Sequence, residues 1–214
     1  MVLTVRFVFC TTFAVCSPLC CRGVRDGSAF GLTGHQLLGV AWANKPFTLL
    51  PQDRRTILRN ILLGTPLKTT SNNWGLYYNF DQYLYQDEHN PTRGFGIFFR
   101  AGVANPNTSA FQQFYSFGFG GKGIIPGREK DQFGIGYYYL KFSGDVPSGL
   151  RRAVSLDHEQ GAELFYNFEF FPWLHVTPDL QIISPSRKTL GTPLNPGKNI
   201  STGVVPGLRV KVDF

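Results

Sequence analysis

The sequence predicts an all-β chain: an antiparallel transmembrane β-barrel with about eight strands present. Three observations predict it. Apolar and polar side chains alternate with a period of two in segment after segment, which places one kind on each face of a strand. Several of these segments reach the ~9–11 residues with which a tilted strand crosses a membrane, against ~5–6 for soluble strands. The composition suits strands and tight turns: Phe 20, Tyr 9 and Gly 24, with charged residues at 16%, below the usual ~25%.

Residues 1–29 stand apart as an atypical N-terminal segment, and residues 30–214 form the barrel region. Val2–Leu19 is apolar with Arg6 near its start, which reads as a secretory leader. Pro18, Cys20 and Cys21 crowd the cleavage region, so a mis-assigned start is the alternative reading. All four cysteines lie in the first 21 residues, with no zinc-ligand spacing and no histidine near them. The cysteine-free remainder suits a chain that crosses an oxidising compartment.

His35–Trp42 reads as a short first strand. The connection over 43–73 contains Pro46, Pro51, Gly64 and Pro66, and within it Asp53–Leu63 reads as a helix with Ile57, Ile61 and Leu62 on one face. Trp74–Tyr85 sets Trp74, Leu76, Tyr78, Phe80 and Leu84 against Gly75, Tyr77, Asn79, Asp81, Tyr83 and Tyr85. Gly94–Val103 sets Phe95, Ile97, Phe99, Ala101 and Val103 against Phe98 and Arg100. In Phe111–Gly121, Tyr115, Phe117 and Phe119 oppose Phe114, Ser116 and Gly118. In Gln132–Phe142, Phe133, Ile135, Tyr137 and Tyr139 oppose Gly134, Gly136, Tyr138 and Leu140. Glu159–Phe171 sets Ala162, Leu164, Tyr166, Phe168 and Phe170 against Glu163, Phe165, Asn167 and Glu169. Trp173–Ile183 sets Leu174, Val176, Leu180 and Ile182 against His175, Thr177, Asp179 and Gln181.

The last strand, Val204–Phe214, places Val204, Leu208, Val210, Val212 and Phe214 on one face and Arg209, Lys211 and Asp213 on the other. It resembles the closing strand of a bacterial outer-membrane barrel, where a terminal Phe, here Phe214, belongs to the assembly signal. With that terminus on the periplasmic side, long external loops and short periplasmic turns should alternate. Residues 184–200, 143–158 and 43–73 are long where external loops are expected. Phe171-Pro172-Trp173 and 86–93 are short where turns are expected. Residues 104–110 are shorter than an external loop should be.

LYYNFDQYL (Leu76–Leu84), GFGIFFRAG (Gly94–Gly102), GFGGKGIIPGREKDQF (Gly118–Phe133), GIGYYYL (Gly134–Leu140), EQGAELFY (Glu159–Tyr166) and WLHVTPDLQ (Trp173–Gln181), with the closing Gly207-Leu208-Arg209, resemble the C-terminal half of OprB-type carbohydrate-selective porins. The resemblance runs from about Gly34 to Phe214 and is most specific in P-G-R-x-x-D-x-F-G-I-G-Y and T-P-D-L-Q. It implies a 16-stranded outer-membrane channel that passes sugars by diffusion, of which about half the strands are present. It implies as partners the lipid bilayer, sugars as permeating solutes and the outer-membrane assembly machinery, with homo-oligomerisation left open. The alternative is a small, non-conducting structural outer-membrane barrel.

A sugar pathway needs aromatic faces for the apolar side of the ring and charged or amide groups for hydroxyls. The candidate lumen residues are Tyr77, Asp81, Tyr83, Arg100, Glu163, Asn167, Glu169, Trp173, Asp179 and Arg209. Arg100 and Arg209 opposite Glu163 and Glu169 would order water across the pore, unless these charges pair and brace the wall. No enzyme is expected: the four histidines lie on unrelated elements and no G-x-S-x-G or H-E-x-x-H occurs. Neither cofactor nor metal is expected. The net charge of +7 is dispersed, without a Lys/Arg tract or basic helix, so nucleic acid is not an expected partner.

Overall fold

The computed structural model describes residues 20–29, 32–50, 52–143, 158–186 and 200–213. In chain order the elements are β1 (Cys20–Ala29), β2 (Leu32–Ala43), β3 (Phe47–Thr48), α1 (Arg54–Leu63), β4 (Thr69–Thr70), β5 (Asn73–Gln86), β6 (Gly94–Ala104), β7 (Phe111–Lys122), β8 (Gln132–Phe142), β9 (His158–Phe171), β10 (Leu174–Ser184) and β11 (Gly203–Val212). One nine-stranded antiparallel sheet has the order β1-β2-β5-β6-β7-β8-β9-β10-β11, and β3 and β4 form a two-stranded ribbon. The eight strands expected from the sequence are β2 and β5 to β11. The ninth, β1, lies within the segment read above as a leader or a mis-assigned start. Its sequence CCRGVRDGSA lacks a clean apolar parity, and its place is set by ten paired residues along β2.

Register carries the alternation across the whole sheet, because directly paired residues in neighbouring strands share a face. Phe80, Phe99, Phe117, Tyr137, Ala162, Ile182 and Val204 form one continuous ladder from β5 to β11. The adjacent ladder, on the other face, runs His35, Asp81, Phe98, Gly118, Gly136, Glu163 and Gln181.

The two faces meet different surroundings. No hydrophobic side chain is buried among the described residues, whereas Leu38, Leu76, Phe117, Ile135, Leu164 and Leu208 of the apolar face are all exposed. On the other face Asp179 keeps only 6% of its side-chain surface and Glu163 23%. The apolar side chains are thus open while the carboxylates of Asp179 and Glu163 are sheltered. That is the inverse of a soluble sandwich, whose inner faces are apolar.

Besides a shift between Phe111 and Gln113, two register shifts break the strict alternation. Between Tyr83 and Tyr85 the register shifts, so that Tyr85 pairs with Phe95. This moves Tyr85 to the apolar face, where its ring stacks on Phe95 at 5.6 Å, and corrects the simple parity that placed it beside Tyr83. The second shift lies between Leu174 and His175; it lets His175 pair with Glu169 and Leu174 with Phe171.

The long connection after β2 is organised by its own polar groups. Asp53 caps α1 by accepting from the Thr56 backbone N–H at 3.2 Å, and Gly64 ends it in the left-handed region at φ 65°. The buried Gln52 amide donates to the carbonyls of Leu49 and Lys68 at 2.8 and 2.9 Å. The connection docks on the β6–β7 loop: Leu50 N–H donates to Asn107 O, and Asn105 Nδ2 donates to Asn72 O, both at 2.7 Å. The helix expected over Asp53–Leu63 is present, and its Ile61 and Leu62 point outward rather than into a core.

Candidate solute pathway on the sheltered face

Tyr77, Asn79, Asp81 and Tyr83 come from β5, Arg100 from β6, Glu163, Asn167 and Glu169 from β9, Asp179 from β10 and Arg209 from β11, and alternation places them on the charged face. The structure brings three of them together. Arg209 reaches across β10 to place Nη2 3.3 Å from Glu163 Oε1, with Nε 3.7 Å from Asp179 Oδ1. Asp179 also accepts from Gln181 Nε2 at 3.1 Å. Asp81 accepts from His35 Nδ1 at 2.8 Å. Arg100 lies over the Phe98 ring at 5.4 Å. A wall with paired cations and anions interleaved with aromatic rings can hydrogen-bond hydroxyls and stack on flat apolar surfaces.

Other candidates lie apart from that cluster. Glu169 sits toward the short-turn end, paired with Lys130 at 3.1 Å rather than with either arginine. Trp173 is in the β9–β10 turn, half exposed and stacked on Phe171 at 5.3 Å and 5°. The buried Oδ1 of Asn167 takes no hydrogen bond among the described residues. Phe214, read as the assembly signal, lies outside the described residues, as do residues 1–19 and most of the loops over 143–158 and 184–200.

Periodicity could not show what Asp131 does. Its carboxylate is 4% exposed and accepts from Tyr166 Oη at 2.9 Å and from the Glu169 backbone N–H at 3.0 Å. Arg128 places Nε 3.7 Å from the same carboxylate and its guanidinium over the Phe168 ring. The P-G-R-x-x-D segment is thus a turn whose acid ties β8 to the end of β9. The signal was the motif itself, since no alternation runs through it. The neighbouring turn is tied in by Arg93, which approaches Asp87 at 3.6 Å and Glu129 at 3.5 Å. The backbone N–H groups of His89 and Asn90 hold the Asp87 carboxyl below its ordinary value, with Arg93 adding to the effect.

Aromatic rings gather on the apolar face at both ends of the strands. Toward the short turns, Phe95, Phe119 and Phe133 follow one another at 5.4 and 5.7 Å. Toward the long loops, Trp42 pairs with Trp74, and Tyr139 stacks on the His158 ring at 5.5 Å. Aromatic girdles bordering an apolar band mark barrels that sit in lipid. No described helix is long and apolar enough to cross a membrane, which says nothing about crossing by strands.

Residues 11–214 match the model of the carbohydrate-selective porin, OprB family. The chain is 23% identical over 170 residues to Porin B of Pseudomonas aeruginosa, which covers 72% of this chain and 35% of that protein. Its fold is similar to that of Pseudomonas putida OprB at high pH, with TM-score 0.69 and 23% identity over 89% of this chain and 47% of that one. The low-pH structure of the same porin aligns with TM-score 0.52 and 21% identity over 90% and 45% of the two chains. The chain thus spans about half the length of the solved porin and about a third of the curated one.

Proposed function

The chain belongs to the OprB family of carbohydrate-selective porins, a family of channels rather than enzymes, and from that premise we propose that its sheet is part of the wall of a bacterial outer-membrane barrel through which sugars diffuse passively. The observation that carries the proposal is the inverted burial: no buried hydrophobic side chain among the described residues, an exposed apolar face across eight strands, and sheltered carboxylates on the other face. Lipid on one side and water on the other satisfy both faces at once. The bilayer, permeating sugars and the outer-membrane assembly machinery are the partners this reading entails. On it, the carboxy-terminal end and the short turns face the periplasm.

Closure supports the same reading and adds a constraint. In an antiparallel sheet of nine strands, the edge strands β1 and β11 run in the same direction. Joining them directly, or joining two copies of this sheet edge to edge in one membrane orientation, would create a parallel seam. An all-antiparallel ring requires an odd number of added strands. Sixteen less nine leaves seven, which is odd, and a ring of 16–18 strands leaves an aqueous channel. Unpaired edges do not survive in lipid, so sugar flux requires these strands.

Liposome swelling tests the proposal. The chain joined to a seven-strand complement from a relative should admit glucose faster than an oligosaccharide, and the chain alone should admit neither. A completed, inserted barrel that passes salt but excludes glucose would overturn the carbohydrate reading. Glucose-permeable monomers of the chain alone would overturn the closure argument.

A further inference from the structure

Glycines on the sheltered face recur directly opposite large side chains. Gly39 pairs with Tyr77, Gly118 with Phe98, Gly134 with Phe165 and Gly161 with Tyr138. In each pair the ring lies across the glycine, in the space that a Cβ would fill. At Gly134 the three atoms nearest to an added Cβ all belong to Phe165, the first at 2.6 Å, and at Gly39 all three belong to Tyr77. At Gly118 and Gly161 a backbone carbonyl crowds the same space, Ile135 O at 2.5 Å and Ile182 O at 3.1 Å. A ring laid over a cross-strand glycine covers its bare backbone and lies along the wall. With any Cβ beneath it, the ring must take another staggered rotamer and stand away from the wall.

Resting on the channel reading above, we infer that Gly39 and Gly134 are positioning residues that set the gauge of the sugar pathway by holding Tyr77 and Phe165 flat. A flat ring leaves the lumen open and offers its whole π face to the apolar side of a sugar. An upright ring blocks the path and offers an edge. The glycines therefore act on permeation through rings they touch, without touching the solute.

Two measurements test this. In the completed barrel refolded in detergent micelles, a ring lying over a glycine shifts that residue's Hα resonances upfield. Gly39 and Gly134 should show the shift, and Tyr77→Leu and Phe165→Leu should each abolish it at the paired glycine. Unshifted wild-type resonances overturn the inference, whether or not any alanine variant folds. In liposomes bearing the completed barrel, Gly134→Ala should slow sugar entry, with a larger loss for a trisaccharide than for glucose. Removing the displaced ring as well, in Gly134→Ala/Phe165→Ala, should restore entry. A double variant as slow as the single one overturns the inference. Wild-type liposomes that admit no sugar overturn the channel reading instead, and the resonance shifts then decide the ring placement alone.

Discussion

Along β9, Leu164 and Glu163 are neighbours in the chain and meet different surroundings. Leu164 lies between Ile135 and Leu180 on the apolar face and is 53% exposed. Glu163 points the other way, keeps 23% of its side-chain surface and meets Arg209. In a water-soluble protein the leucine would be covered and the glutamate left open, because apolar burial drives folding. Here the ordering of the two is reversed. The hydrophobic effect still governs which face is apolar. On the proposed reading, lipid rather than a second layer of protein covers it.

Substitutions on the two faces should therefore differ in cost. Leu164→Arg puts a cation in the middle of the apolar band and should destabilise the assembled barrel by about 2–4 kcal/mol, read from urea unfolding in lipid vesicles. Asn167→Arg, on the wet face of the same strand, should cost far less; equal losses would break the assignment of the faces. Leu164 is a sharper probe than Tyr166, which lies toward the short turns and carries a structural hydrogen bond to Asp131.

A smaller loss is expected where a polar anchor supports the apolar face. Asp131→Ala strands the Tyr166 hydroxyl and the Glu169 N–H and should cost about 1–3 kcal/mol in the same assay. An unchanged midpoint would show that the turn contributes nothing to the end of β9. Smaller still is the Arg209 cluster. The Arg209 side chain is 64% exposed, so Arg209→Ala should change stability by no more than about 1 kcal/mol. It should alter ion selectivity, measured as reversal potential in the completed barrel, more than stability.

The smallest expected effect is that of pH on the turns. Asp87 is held below its ordinary value of 3.8, so its contribution is present above that value and is lost as pH falls through the lower, folded one. The amide resonances of His89 and Asn90 should titrate with a midpoint below 3.8, and Asp87→Asn should abolish the transition. A midpoint at or above 3.8 would remove the proposed role of their N–H groups.

The sheet was legible because a period of two is a strong signal where both faces are chemically distinct. Leu76 to Phe80, Phe95 to Val103 and Leu164 to Phe168 each announce their face without help from neighbours. Tyr85 was misread because a bulge depends on how two strands meet, and the Leu84-Tyr85 sequence looks regular. β1 was missed because its residues carry no consistent parity, and partner register alone makes it a strand. The Arg209–Glu163 contact was half legible: parity put both groups on one face, while the match of Arg209 to Glu163 rather than Glu169 depends on stagger across β10. Asp131, Gln52 and Asn105 act through loop geometry, which alternation does not encode. The family resemblance marked the first of these as distinctive without indicating its task.

From β6 to β11 every strand pairs with the one that precedes it in the chain. Such a meander can grow hairpin by hairpin, each step closing only the loop between two consecutive strands, and the cost of a longer loop rises slowly with its length. The pairing of β2 with β5 interrupts this locality, because 44–72 lies between them. That connection is shortened in effect by its own capped helix, by Gln52 and by its docking on the β6–β7 loop. The kinetic barrier is thereby moved from the interior of the sheet to its rim. Seven strands can zip locally, the β1–β2 pair joins across a pre-folded bridge, and on the proposed barrel reading the slow step left is sealing the final seam.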